Sequence, residues 1–422
     1  MRFFHPRRVL RRLQSNDRID RVIQSILAWR IKINYSLAIR RLRRKKGRER
    51  IRVVFYTNEP QKWSYESLYR AFESSPHFEP LVVVVPRYAV HVGKDHTRMT
   101  LDNQYDFYRE RGYRVEYGYK DGRYLEIASF RPDVFFYLQL AEIPGIDDPM
   151  IVSRSALTCY CLYGYPLSDY RKDYLHRFHR LLFRFYVVHE WTKERFEGYA
   201  KGNSKNCVVV GYPKLDVYFK DLSPDADKYW RDPSKVRIIY APHHSVNDVF
   251  LFSTFQYNHQ YILDLAKSMS DRTTWIFKPH PMLKRAVLWA GLMTETELDD
   301  YYQSWSEVGR VYDQGDYFDI FKSSDLMITD CASFLAEYLA SGHPLIRLIN
   351  SRSFQLDKLG QRFSDCYYNV HDNEELKRVF DELVVAGNDY LGVHRREIAS
   401  TLIDRRQTAA EKVLRNIIDS IR

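Results

Sequence analysis

DLMITDCASFLAEYLASGHPLIRL, residues 325–348, sets an apolar run, a helical pattern and a second apolar run end to end. DLMIT (325–329) reads as a buried strand, and the residues after it carry their apolar side chains at helical steps. Gly342 and Pro344 stop that pattern, and PLIRL (344–348) begins the next strand. Strand, helix and strand at this spacing form a crossover unit, which belongs to parallel sheet. The mouth of the helix holds Thr329, Asp330, Ala332 and Ser333, with Glu337 one turn further in. Thr, Asp and Ser can simply cap open helix N–H groups. The same groups, with the positive end of the helix, also attract an anion. Which reading applies depends on what else gathers at the strand ends.

The same alternation extends in both directions. From residue 51 the strands are IRVVFY (51–56), PLVVVV (80–85), YRVEYGY (113–119), PDVFFYLQ (132–139), ALTCYCLYG (156–164), FRFYVVHE (183–190) and NCVVVG (206–211), with a helix around 64–74. It restarts with VRIIYAP (236–242) and TTWIFKP (273–279), a helix near 258–269 between them, then a strand near 309–312. Helices follow at 372–387 and about 394–421, and a junction rich in Asp, Pro and Lys lies near 212–235. The expected fold is α/β: two Rossmann-like, doubly wound parallel-sheet domains facing across a cleft, behind a basic helical extension. The expected division is 1–50 for the extension, 51–215 and 216–390 for the two domains, and 391–422 for a C-terminal helix that returns to the first domain.

At 422 residues two domains are the ordinary outcome, and 45% hydrophobic with 28% charged residues describes a folded, water-soluble chain. No apolar run reaches the length of a membrane-spanning helix, and the basic N-terminus lacks a signal-peptide core. Five cysteines without a CxxC pair fit reduced thiols and a cytoplasmic location. The net charge of +11 is unevenly placed: residues 1–50 hold 17 Lys and Arg against three acids, leaving 48 basic and 51 acidic side chains in the remainder. A near-neutral body argues against nucleic acid as partner. In the extension, Val22, Ile26, Trp29, Ile33 and Leu37 recur at three- and four-residue steps among Arg and Lys. Such a helix either packs on the body or lies on an anionic membrane surface, which residues 1–46 are expected to contact.

In open parallel sheets ligands bind beyond the carboxyl ends of the strands. APHHS (241–245), KPHP (278–281) and TDCAS (329–333) occupy such ends in the second half, and LYGYPLSDY (162–170), His189-Glu190 and GYPKLD (211–216) in the first. In KPHP, alternation sends Lys278 and His280 to one face, where a cation and an imidazole can grip a phosphate. His243, His244 and Ser245 leave the neighbouring strand, and no HxH or HExxH spacing supports a metal among these histidines, so none is expected. Glu337 is placed to accept from ribose hydroxyls. Together these favour a diphosphate cradle. GxxxxGK[ST], GxGxxG and GxSxG are all absent, which removes the P-loop, the dinucleotide fingerprint and the hydrolase elbow.

GYPKLD, YAPHHS, FKPHP and TDCASFLAEYLASGHPLI, in this order and spacing, resemble the CDP-glycerol glycerophosphotransferases that prime and polymerise teichoic acids. The resemblance covers about residues 50 to 390 and is stronger in the second half. It implies a GT-B fold, a cytidine diphosphate donor in the C-terminal domain, a lipid-linked glycan acceptor, and a peripheral enzyme on the inner face of the cell membrane, with no resident cofactor. Carried over by position, His280 contacts the donor pyrophosphate, Asp330, Ala332 and Ser333 line the phosphate helix, Glu337 meets the ribose, and Gly211 and Pro213 shape the interdomain turn. Where that family has a Trp-His-Gly-type motif, this chain reads Leu162-Tyr163-Gly164. Tyr163 is then expected to position the acceptor while Asp169, His189 or Glu190 takes the proton. The alternatives are a nucleotide-sugar glycosyltransferase on the same scaffold and an inactive nucleotide-binding protein of the pathway.

Overall fold

The computed structural model describes residues 17–45, 47–88, 100–168, 177–200, 205–223, 225–247, 251–313, 315–403 and 406–422. They divide into two compact units, the first within Met1–Tyr163, Arg171–Lys214 and Ala409–Arg422, the second within Gly164–Tyr170 and Leu215–Thr408.

The first unit is built on a sheet of β1 (Ile51–Thr57), β2 (Phe78–Val84), β3 (Val115–Tyr117), β6 (Val134–Tyr137), β7 (Leu157–Cys161), β8 (Arg184–Val187) and β9 (Cys207–Val209). A small antiparallel hairpin, β4 (Tyr119–Lys120) and β5 (Arg123–Tyr124), interrupts the chain order. The sheet order is β3-β2-β1-β6-β7-β8-β9 and every pairing is parallel, for instance Val53 opposite Val134 and Tyr56 opposite Tyr137. Helices on both faces bury these strands twice over, which is why they read as unbroken apolar runs. Val54 and Phe135 pack into one core layer, Val53, Phe55 and Phe136 into the other.

The helix Asp17–Lys45 docks on this unit through Ile31, Tyr35, Ala38 and Leu42, each at most 7% exposed. Tyr35 fixes its register: its hydroxyl lies 2.5 Å from Thr158 Oγ1 and donates to the Leu181 carbonyl at 2.6 Å. The stripe picked out by the sequence is a different one. Its described side chains, Trp29, Ile33 and Leu37, are 67%, 39% and 56% exposed, while Val22 and Ile26 lie outside the described side chains. One helix thus carries a docking stripe and a solvent-facing apolar stripe.

The second sheet runs β12-β11-β10-β13-β14-β15, again wholly parallel. Its strands are β10 (Val236–Ala241), β11 (Thr273–Phe277), β12 (Gly309–Val311), β13 (Leu326–Thr329), β14 (Leu345–Leu348) and β15 (Tyr368–Val370). In both sheets the strand order reverses once, between β1 and β6 in the first and between β10 and β13 in the second. A crevice opens at such a reversal. The helix read over 394–421 is two helices, Gly392–Leu402 in the second unit and Ala409–Ser420 in the first. From the latter Ala410, Val413 and Ile417, with Ile421 just past its end, fill the core beside Leu68 and Phe72.

Candidate active site

The reversal of the second sheet gathers the residues marked in the sequence. β10 delivers His243 and His244, β11 delivers Lys278 and His280, and β13 delivers the turn from Asp330 to Ser333. The His244 and His280 rings are 4.0 Å apart between centroids, His243 and His244 4.3 Å, and His243 and His280 5.4 Å. Lys278, 6% exposed, sets its Nζ 4.5 Å from the centre of the Tyr317 ring and 5.8 Å from that of Phe334. The Tyr317 hydroxyl donates to Glu337 Oε2 at 2.5 Å, so one tyrosine binds the cation through its face and the carboxylate through its edge. Tyr317 carries no motif and was not legible in the sequence.

Three imidazoles with ligand atoms within 4.8 Å of one another are close enough for a metal ion. The hydrogen bonds of two of them run against it. A neutral imidazole has one accepting and one donating nitrogen. His243 Nδ1 accepts from the Ser245 N–H (3.2 Å) and lies 2.7 Å from Ser245 Oγ, and His280 Nδ1 accepts from the Met282 N–H (3.1 Å). The proton therefore sits on Nε2 in both. Metal-bound histidines are held the opposite way, donating from the far nitrogen. Burial, followed by the neighbouring histidines, holds His243 well below the ordinary imidazole range. Burial, His244 and the Lys278 charge push His280 down to about 3. At neutral pH His243 and His280 are uncharged, each with a donating Nε2–H, beside Lys278, an arrangement of donors that an anion can accept from.

The surrounding residues hold that arrangement in shape. Asp330 is buried and its carboxylate faces inward: Oδ1 accepts the His243 N–H (2.6 Å), and Oδ2 accepts both the N–H (2.6 Å) and the hydroxyl (3.0 Å) of Thr254. Burial raises its pKa to about 6. Ser245, also buried, accepts from the Phe252 and Ser253 amides and fixes the His243 loop. Thr329 donates to the Ala241 carbonyl (2.6 Å) and ties β13 to β10. None of the three caps the following helix, and Ser333 makes no side-chain cap bond there. The helix itself is one α turn, Phe334–Glu337, followed by the 3-10 turn Leu339–Ser341 and Gly342 in the left-handed region at φ 76°. The expected long dipole is thus absent from this stretch, and the charge and donors at the site come from side chains. Ala332 is half-buried, Ser333 is exposed with its Oγ 3.2 Å from Cys331 Sγ, and Glu337 is 4% exposed.

Tyr163, His189, Glu190, Gly211 and Pro213 lie in the first unit. Tyr163 is 45% exposed after β7; Lys62 Nζ lies 5.4 Å from its ring centre, and the Tyr212 hydroxyl donates to its carbonyl. Glu190 is exposed in the first turn of the helix Glu190–Ala200, 4.0 Å from Lys193 Nζ, and His189 Nδ1 accepts from the Trp191 N–H. Gly211 has φ +92°, a conformation that costs any other residue strain, and Pro213 accepts from Ser67 Oγ at the start of the turn Pro213–Phe219. Asp169 lies outside the described residues.

Residues 178–381, just under half of the chain, match the family described as CDP-Glycerol:Poly(glycerophosphate) glycerophosphotransferase. The resemblance read from the motifs is borne out. The matched segment contains every one of the second-sheet residues above. No curated protein matches the sequence. Among solved structures, the wall teichoic acid polymerase TagF superposes with a TM-score of 0.57 at 14% identity, over 95% of this chain and 98% of that one. The UDP-GlcNAc 2-epimerase of Neisseria meningitidis gives 0.58 at 11% identity, over 88% and 100%. A putative UDP-N-acetylglucosamine 2-epimerase of Listeria monocytogenes gives 0.53 at 14%, over 87% and 96%. The fold is GT-B.

Proposed function

We propose that this chain moves a polyol phosphate from a CDP-activated donor, of the CDP-glycerol or CDP-ribitol type, to a hydroxyl of a lipid-linked glycan, releasing CMP in the synthesis of a teichoic-acid-like or capsular polymer. The observation that carries this reading is the anion receptor of Nε2–H donors and Lys278, inside the segment matched by the glycerophosphotransferase family. One TagF structure was soaked with CDPG, which fits a cytidine diphosphate donor on this scaffold.

In the reaction the acceptor oxygen attacks the phosphorus that bears the polyol. A P–O bond forms there, the bond to the CMP oxygen breaks in line, and the hydroxyl proton passes to a base. Lys278, His280 and His243 stabilise the charge that grows on CMP, a gain made by fixed groups in a dry pocket. Glu337 takes the ribose hydroxyls, and Ala332 and Ser333 line the phosphate side. Asp330, Ser245 and Thr329 act through the loop they fix. Tyr163 positions the acceptor while Asp169, His189 or Glu190 receives the proton, and turnover in the single variants Asp169→Asn, His189→Ala and Glu190→Gln separates the three.

The stripe of Trp29, Ile33 and Leu37, set among Arg30, Lys32, Arg40 and Arg41, supports peripheral attachment to an anionic membrane surface on the cytoplasmic side. No described helix is long and apolar enough to cross a membrane. The likeness to the Neisseria epimerase, solved with UDP-GlcNAc, keeps nucleotide-sugar glycosyl transfer as the second reading. Calorimetry with CMP, CDP-glycerol, CDP-ribitol, UDP and UDP-sugars tests both. Selective cytidine binding that His280→Ala weakens is the expected result, with a phosphodiester product on turnover. Uridine preference overturns the donor assignment, and tight nucleotide binding without turnover leaves an inactive scaffold.

A further inference from the structure

Tyr317 touches the two groups of the donor site that a nucleotide has to reach. It ends the loop after β12, and the backbone there is pinned. The Tyr312 hydroxyl donates to the Asp316 carbonyl at 2.6 Å, and the Phe318 N–H donates to Asp316 Oδ1 at 3.1 Å. Phe318, Phe321 and Phe334 pack around the Tyr317 ring, with centroids 5.1, 4.7 and 5.5 Å away. From that seat the ring face lies 4.5 Å from Lys278 Nζ, and the hydroxyl donates to Glu337 Oε2 at 2.5 Å. Lys278 is 6% exposed and Glu337 4%, while Tyr317 itself is half-buried.

Burial at this level shuts a ligand out. A phosphate cannot meet Lys278, nor ribose hydroxyls Glu337, until a neighbour gives way, and Tyr317 is a neighbour of both. The tyrosine offers each group a smaller version of what a nucleotide brings. Its hydroxyl donates to the carboxylate as a ribose hydroxyl would, at a length ordinary for such a bond. Its ring face attracts the ammonium through the aromatic quadrupole, where a phosphate would attract it through full charge. A buried lysine and a buried glutamate left bare would each be costly, so these contacts also keep the empty site in shape. When a nucleotide enters, one hydroxyl replaces another at Glu337, and the ribose hydroxyls yield little net affinity. Without the phenol hydroxyl the same ribose would gain the whole bond, roughly tenfold in affinity.

We propose that Tyr317 is a stand-in ligand of the empty site: its hydroxyl holds Glu337 and its ring covers Lys278 until the ribose and phosphate of a nucleotide displace it. The proposal rests on the donor reading for what displaces the tyrosine. Calorimetry with CMP, UMP and their 2′,3′-dideoxy analogues, on wild type and Tyr317→Phe, tests it, with melting temperatures to show that the variant is folded. For whichever base binds, Tyr317→Phe is expected to hold the ribonucleotide about tenfold more tightly and the dideoxy analogue as the wild type does. In the wild type, where one bond is exchanged for another, the two forms should differ less than about threefold, an arm that needs no variant. Unchanged or weaker ribonucleotide binding in Tyr317→Phe overturns the proposal, by making the tyrosine a support for the carboxylate. An equal change for both forms overturns it too, since a merely structural role ignores the ribose hydroxyls. So does a wild type that already separates the two forms by about tenfold or more. A preference for UMP with the expected pattern overturns the cytidine assignment alone and leaves this inference standing. Binding of no nucleotide by either protein overturns the donor reading, and this inference with it.

Discussion

Asp330→Ala separates a carboxylate that shapes the pocket from one that touches the ligand. Removing it leaves two backbone N–H groups and one hydroxyl, those of His243 and Thr254, without their acceptor in a buried place. At roughly 1–3 kcal/mol for each orphaned donor, the loss is about 5 kcal/mol. An opposing effect applies near neutral pH. The folded carboxyl titrates at about 6 against 3.8 for an exposed one, so keeping it ionised in the interior costs roughly 3 kcal/mol, which the alanine variant no longer bears.

The net destabilisation expected at pH 7.5 is therefore about 2 kcal/mol. Because the folded pKa is the raised one, Asp330 stabilises most when protonated, and that contribution is lost as pH rises through about 6. At pH 4.5 the gap between wild type and variant should widen to about 4–5 kcal/mol. Urea unfolding followed by tryptophan fluorescence at the two pH values measures this, with CMP affinity read in parallel. A variant destabilised more at pH 7.5 than at pH 4.5 refutes the argument, since that is the signature of a carboxylate held by a cation. Unchanged stability with lost CMP binding refutes it too, by making Asp330 a direct ligand contact.

His280→Ala is expected to weaken CMP binding roughly ten- to hundred-fold, the value of one hydrogen bond to a charged acceptor. Because burial holds His243 and His280 neutral, wild-type affinity should show no step from either of these two imidazoles between pH 5.5 and 8, as calorimetry comparing wild type with their alanine variants across that range will show. Changing Trp29, Ile33 and Leu37 together to Ser should abolish flotation with anionic vesicles without moving the melting temperature, whereas Leu42→Ala should cost about 2–5 kcal/mol of stability. Asp147, buried beneath the Glu142 loop with its pKa raised to about 7, should make wild type lose stability from pH 4 to 7 relative to Asp147→Asn.

Both sheets were legible because strands buried on two faces must be apolar at every position. The strand-end motifs were legible because their residue types are poor choices for plain turns. What each side chain does was another matter. Asp330 answers to Thr254, 76 residues earlier, and no local pattern names that partner. The Thr, Asp and Ser ahead of Phe334 look like caps, yet the helix ends after one turn. In the N-terminal helix, Ile31, Tyr35, Ala38 and Leu42 repeat as regularly as Trp29, Ile33 and Leu37, but a small Ala and a polar Tyr hide the stripe that docks. A periodicity argument finds an apolar face; it does not say whether protein or another surface covers it.

The two strand reversals are alike in topology and opposite in chemistry. Each collects its side chains from the first strand of its sheet and from the strand that reverses the order, so the fold supplies two equivalent crevices. In the second sheet burial keeps His243 and His280 uncharged, and Lys278 sits over the Tyr317 ring whose hydroxyl holds the Glu337 carboxylate. In the first, Glu59 lies beside Lys62 and Arg87 and Glu142 beside Arg87, and the Asn58 and Gln139 amides bridge them. Which ionisable groups are paired and which are buried out of charge is therefore a property that strand order alone leaves open.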